Sequence, residues 1–238
     1  MSAGIIETIG DLVRGKPARP AVVAFDVIGT LFPLEPLRPA IVALGLPPMG
    51  LEGWFAAGCR DAFAMAAAGQ FVPFATVVDS ALDTVLGEQG LSASAAQRRE
   101  LIDGLEGLAA RPHAGEALEL LREAQVPAMA LSNGSRSATK TLLTNAGLAD
   151  RIADIVSVDQ AGRFKPCAAV YQLAAETAGV APGDLALVAA HGWDCNGAHA
   201  AGLTTAYLST DRPYPKAFHA ADAEADTLSG CVAALLAL

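Results

Sequence analysis

The sequence predicts an α/β fold: a Rossmann-like, doubly wound parallel sheet with a helical cap domain inserted into it. Three observations lead there. Five short apolar runs, at 21–27, 126–131, 155–158, 185–190 and 204–208, punctuate the chain. Helix-like stretches fall between them. A long segment of purely helical patterning separates the first run from the second. Continuous apolar strands alternating with helices indicate a parallel sheet covered on both faces, since each strand then buries both of its side-chain rows.

Taken in order, the first run ends on Asp26 and meets a turn holding Gly29 and Thr30, in "FDVIGTLF". Pro33, Pro36 and Pro39 mark the way into the insertion. Its helical patterns cover 54–68, 74–86 and 95–108, the last with Leu101, Ile102, Leu105 and Leu108 on one face. Arg111-Pro112 marks the way out. Helices are expected at 114–124, 137–146, 168–178 and 197–201, and Gly147, Gly179 and Gly202 fall where C-caps belong. The terminal "LSGCVAALLAL" is apolar but about half the length of a membrane span, and reads as a final helix packed on the core. The expected division is a core of 1–33 and 110–238 with a cap at 34–109.

Composition excludes several function classes. Charged residues make up 17% of the 238, low enough for a real core rather than disorder. The formal net charge of −9, without a Lys/Arg cluster, argues against a nucleic-acid partner. None of Cys59, Cys167, Cys195 and Cys231 is spaced as C-x-x-C, so they read as small buried or half-buried hydrophobes. "MSAGIIETIGDLVRGK" carries two acids and no long apolar stretch, unlike a secretory leader. The expectation is therefore a cytoplasmic chain with no membrane partner and a small-molecule substrate.

In doubly wound sheets the ligand crevice lies beyond the carboxyl ends of the strands. Asp26 and Thr30 follow the first strand there, and Ser132 and Asn133 the second. Lys165, Pro166 and Tyr171 follow the third. His191, Trp193 and Asp194 follow the fourth. Each has a plainer reading alone: Asp26 as a turn residue, Ser132 and Asn133 as a helix-capping turn, Lys165 as a loop lysine, Asp194 as an N-cap, His191 as structural. Their convergence on one sheet edge, in this order, favours a site.

"FDVIGTLF", "LSNGS", "FKPCAAVYQLA" and "VAAHGWDCNGAHAAG" resemble the four ordered motifs of the haloacid dehalogenase (HAD) superfamily, and "LSNG", "KP…VY" and "AHGWD" are most similar to its type II L-2-haloacid dehalogenases. The resemblance covers nearly the whole chain. It implies an Asp26 nucleophile that displaces halide from C2 of a short haloacid, forming an ester that water then hydrolyses. Lys165 would keep Asp26 ionised, Thr30 would hydrogen-bond the nucleophile or Lys165, and Asp194 would orient Lys165 and the water. Ser132 and Asn133 would bind the substrate carboxylate, and Tyr171 would support the lysine loop. His191 stands where many members have Asn. A homodimer is a further implication.

The chemistry agrees with the residues. The phosphatase branch carries D-x-D, whose second acid protonates a leaving alkoxide while magnesium screens phosphate. Here that second position is Ile28, and Ala189-Ala190 stand where phosphatases place an acid. Halide leaves without a proton, so neither metal nor cofactor is expected. One departure concerns the halide clamp. The expected cap arginine position aligns with Phe55, with Arg60 the nearest cap arginine and Arg38 just after the first strand. Hydrolysis of another small substrate such as a phosphate ester, or a catalytically degenerate binding protein, stays open at this point.

Overall fold

Strand β1 (Val22–Asp26) is buried along its whole length in the computed structural model, which describes residues 17–210 and 212–238. Its neighbours β2 (Ala128–Ser132) and β4 (Leu185–Ala189) are buried throughout as well, and pair with it in parallel. β3 (Asp154–Ser157) lies outside β2, β5 (Thr204–Leu208) outside β4, and β6 (Ala223–Ala225) beyond β5. The order β3-β2-β1-β4-β5-β6, all parallel, is the doubly wound arrangement the apolar runs predict. β5 spans the residues read from the sequence, the other strand ends lie within two residues of that reading, and β6 has no counterpart in it. The reading of residues 1–16 lies outside the described residues.

Four helices fill the segment between β1 and the return to the sheet: α1 (Arg38–Ala43), α2 (Gly50–Ala67), α3 (Phe74–Glu88) and α4 (Ala95–Gly104). α2 and α3 pack closely. Trp54 is fully buried between them and its indole N–H donates to the Val78 carbonyl at 2.7 Å. α4 opens on a capping box of Ser94 and Gln97. It stops at Gly104, short of the expected 108, and a 3₁₀ turn (Leu105–Gly107) follows; Gly104 and Gly107 are poor helix formers. Leu101 and Leu108 are buried, while Ile102 and Leu105 are only partly covered.

The remaining helices are α5 (Ala114–Glu123), α6 (Arg136–Asn145), α7 (Val158–Ala161), α8 (Ala168–Ala178), α9 (Gly192–Ala200) and α10 (Leu228–Leu236). α10 packs on α5, β5 and β6, as expected of a terminal helix laid on the core. α9 begins at Gly192, ahead of the expected 197. Gly197 sits inside it because a Cβ there would lie 2.8 Å from the Tyr171 hydroxyl and against Pro166. Among the described residues no helix is long and apolar enough to cross a membrane. Cys59, Cys195 and Cys231 are buried and Cys167 half-buried, all as free thiols.

Leu187, fully buried in the central strand β4, tests this architecture. Leu187→Ala is expected to cost about 2–5 kcal/mol in urea unfolding. Val42→Ala, at a side chain 45% exposed, should stay within about 0.5 kcal/mol.

Candidate active site

β1 delivers Asp26 to the carboxyl edge of the sheet, level with Leu131 of β2. The chain then turns back on itself: Leu31 N–H donates to the Asp26 carbonyl and Phe32 N–H to that of Val27. This fold-back aims Thr30 at Asp26. The Thr30 hydroxyl accepts from Ala190 N–H (2.9 Å), so its own proton points to Asp26 Oδ2 (2.6 Å). Gly29 holds the turn at φ +89°, and a Cβ there would lie 2.6 Å from the His191 ring. His191 Nδ1 lies 3.0 Å from the same Oδ2.

Lys165 arrives from β3 through α7 and a loop. Its backbone N–H is fixed by Asn133 Oδ1 (3.0 Å), and the preceding Phe164 packs on Phe71 and Phe74. Its ammonium, 0% exposed, donates to Asp26 Oδ1 (2.7 Å), Asp194 Oδ2 (2.6 Å) and the Leu131 carbonyl (3.0 Å). Asp194, in the first turn of α9, also accepts from the Tyr171 hydroxyl at 2.6 Å. Burial alone would raise the Asp26 carboxyl, but Lys165 and then His191 overcome it and hold Asp26 well below the usual carboxylate range. Burial likewise opposes the Lys165 charge, yet Asp194 and Asp26 keep it above an ordinary lysine. Burial pushes Asp194 upward, with Lys165 pulling against it.

Asp26 faces a chamber of only about 10 Å³, walled by Ile28, Phe55, Cys59, Phe74, Ser132, Asn133, Gly134, His191 and Trp193. A larger outer cavity of about 750 Å³ shares four of these walls, Phe55, Cys59, His191 and Trp193, and extends past Leu34, Leu51, Phe63, Arg60, Arg111 and Arg212. The shared residues form a partition. His191 stacks between Phe55 (5.9 Å between centroids) and Trp193 (5.2 Å). Trp193 in turn lies against Phe63 and 5.9 Å from the Lys165 ammonium. Burial drives the Cys59 thiol up to about 12, so it is a neutral wall.

The geometry thus gathers Asp26, Thr30, Lys165 and Asp194 into one hydrogen-bonded group, with Ser132, Asn133, Phe55 and His191 around it. Tyr171 joins this group from behind through its hydrogen bond to Asp194 and, fully buried, lines neither space. Arg60 borders only the outer cavity, its side chain 64% exposed and paired with Asp61. Arg38 is tied to Glu35 and Glu52 and lines neither space. The helix-cap reading of Asp194 gives way: His191 is the N-cap and Asp194 is turned inward. Arg111 went unassigned in the sequence. Its Nε and Nη2 donate to the Thr30 and Gly29 carbonyls (2.9 and 2.8 Å) and its backbone N–H to Leu31 (2.7 Å). The signal was its place at the insertion's exit, not its type.

The family model for haloacid dehalogenase-like hydrolases matches residues 20–202. The chain belongs to this family. Among sequence relatives of this HAD-like chain, (S)-2-haloacid dehalogenase 1 of Pseudomonas sp. (strain CBS-3) is 30% identical over 59% of this chain and 62% of that enzyme. The (S)-2-haloacid dehalogenase of Xanthobacter autotrophicus is 31% identical over 59% of this chain and 55% of its own length. The matched stretch therefore spans less than two thirds of either relative. A solved structure of L-2-haloacid dehalogenase from Xanthobacter autotrophicus superposes with a TM-score of 0.81 at 25% identity, covering 90% of this chain and 97% of that one.

The HAD-like site makes a stability prediction. Lys165→Met leaves Asp26 and Asp194 sharing a buried space with no cation, at an expected cost of about 3–5 kcal/mol at pH 7. One carboxyl must then hold a proton in the folded state, so its folded value rises above the unfolded one, about 3.9. A group so raised costs stability as pH climbs from the unfolded value toward the folded one. Urea unfolding should accordingly show the gap between variant and wild type narrowing from pH 7 to pH 5.

Proposed function

We propose that this chain is an (S)-2-haloacid dehalogenase, hydrolysing a short 2-haloalkanoic acid to the 2-hydroxy acid through an ester on Asp26. The observation that carries the reading is a buried, ionised Asp26 whose two oxygens are unequally engaged. Oδ2 accepts from Thr30 and His191, whereas Oδ1 accepts from Lys165 and keeps a lone pair. The names of the relatives support the substrate class.

Oδ1 attacks C2, the carbon–halogen bond breaks, and halide leaves with its electron pair. No acid is required. Of the chamber's walls, Ile28 occupies the position of the phosphatase acid and keeps water from the carboxylate. The departing halide meets the aromatic walls Phe55, Phe74 and Trp193 and the amide of Asn133 instead of a guanidinium. The Ser132 hydroxyl, whose oxygen accepts from Gly134 N–H at 2.9 Å, retains its proton for the substrate carboxylate. Residues 34–109 act as the cap over a core of 1–33 and 110–238.

Water then adds to the ester carbon Cγ. One of its protons passes to Asp194, and the Cγ–Oδ1 bond breaks. Lys165, 2.7 Å from Oδ1, gives a proton to the departing alkoxide and regains one from Asp194. The new Asp26 carboxyl releases the second water proton, so the turnover yields hydroxy acid, halide and one proton. A chamber of about 10 Å³ has to widen when substrate arrives, and it does so around a His191 that keeps its place on Oδ2.

Halide release from 2-chloropropionate by the wild type, unchanged by EDTA and lost in Asp26→Asn by at least about 10³-fold, is the expected outcome. A single turnover in heavy-oxygen water should label Asp26 and leave the product hydroxyl unlabelled. Magnesium-dependent hydrolysis of phosphate esters without halide release would overturn the proposal.

A further inference from the structure

We propose that His191 is a catalytic residue of the second half-reaction, one of two donors that stabilise the oxyanion formed when water attacks the Asp26 ester. The proposal rests on the Asp26-ester reading and deepens it.

Three observations carry it. First, an ionised carboxylate can only accept, so the 3.0 Å contact requires the proton on His191 Nδ1. Second, that donor and the Thr30 hydroxyl, at 2.6 Å, both converge on Oδ2, the oxygen left as the ester carbonyl once Oδ1 has bonded to substrate. Water adding to Cγ moves the carbonyl electron pair onto Oδ2. The negative charge thus appears where two preset donors already point, and the pair returns to re-form the carbonyl as the Cγ–Oδ1 bond breaks. Third, the imidazole cannot easily swing away. Phe55 and Trp193 flank its faces at 5.9 and 5.2 Å, and Gly29, which has no room for a Cβ, presses on its edge. Donors that need no reorganisation at the moment of reaction stabilise developing charge most effectively. Displacement gains less from them, because charge leaves Asp26 in that step.

The consequence is a split between the two chemical steps. His191→Phe keeps a flat ring in the stack and removes the N–H. With 2-chloropropionate it is expected to release one equivalent of halide per active site at a rate close to wild type, then turn over about 10²-fold more slowly. Its intact mass during turnover should show the propionate ester. His191→Asn supplies an N–H from a shorter side chain, and should turn over faster than His191→Phe and accumulate less ester. Urea unfolding of both variants checks that the fold persists. Steady-state turnover of His191→Phe at the wild-type rate would overturn the assignment. Equal losses in its halide burst and its steady state, or equal losses in the two variants, would overturn it as well. A wild type that releases no halide from any 2-haloacid offered would instead bring down the ester reading itself.

Discussion

One buried ammonium organises this molecule. Lys165 places a single positive charge between Asp26 at the end of β1 and Asp194 in the first turn of α9, all three buried. Desolvating three charges is costly, and the arrangement persists because each has several partners: Leu131 and both acids for the lysine, Thr30 and His191 for Asp26, Tyr171 for Asp194. That requirement reaches far into the fold. The parallel register brings Asp26 level with Leu131, Asn133 pins the lysine backbone, and Gly197 lets α9 close on the loop that follows. A buried carboxylate of this kind needs its counter-charge fixed by architecture, because an unpaired buried charge is costly.

Much of this was legible in the sequence because parallel strands buried on both faces are written as uninterrupted apolar runs. β1, β2 and β4 follow that rule most closely, while β3 opens on two half-buried residues and β5 on two threonines. β6 does not: three residues, with Glu224 exposed between two half-buried alanines, leave no hydrophobic signature. α9 was partly hidden for the opposite reason. Gly192 and Gly197 argue against a helix by propensity, yet Pro215, Pro166 and Tyr171 leave room for nothing larger. Tertiary packing overrode a local preference, and only coordinates reveal the packing. Asp26, Lys165 and Asp194 could be named because strand-end polar residues are conspicuous. Arg111 could not, since its grip on backbone carbonyls depends on no particular sequence at the receiving end.

Ile28, Phe55 and His191 form a consistent set. These three, with Trp193 and Phe74, make a tight and largely aromatic enclosure around one carboxylate. Such an enclosure concentrates directional polarity on Asp26 itself.

Arg111 has a mechanical meaning. The residue stands where the helical segment rejoins the sheet, and it clasps three successive carbonyls, of Gly29, Thr30 and Leu31, in the turn that aims Thr30. The rejoining end is therefore tied to the bend that follows Asp26. A displacement of that end would carry the Thr30 turn with it.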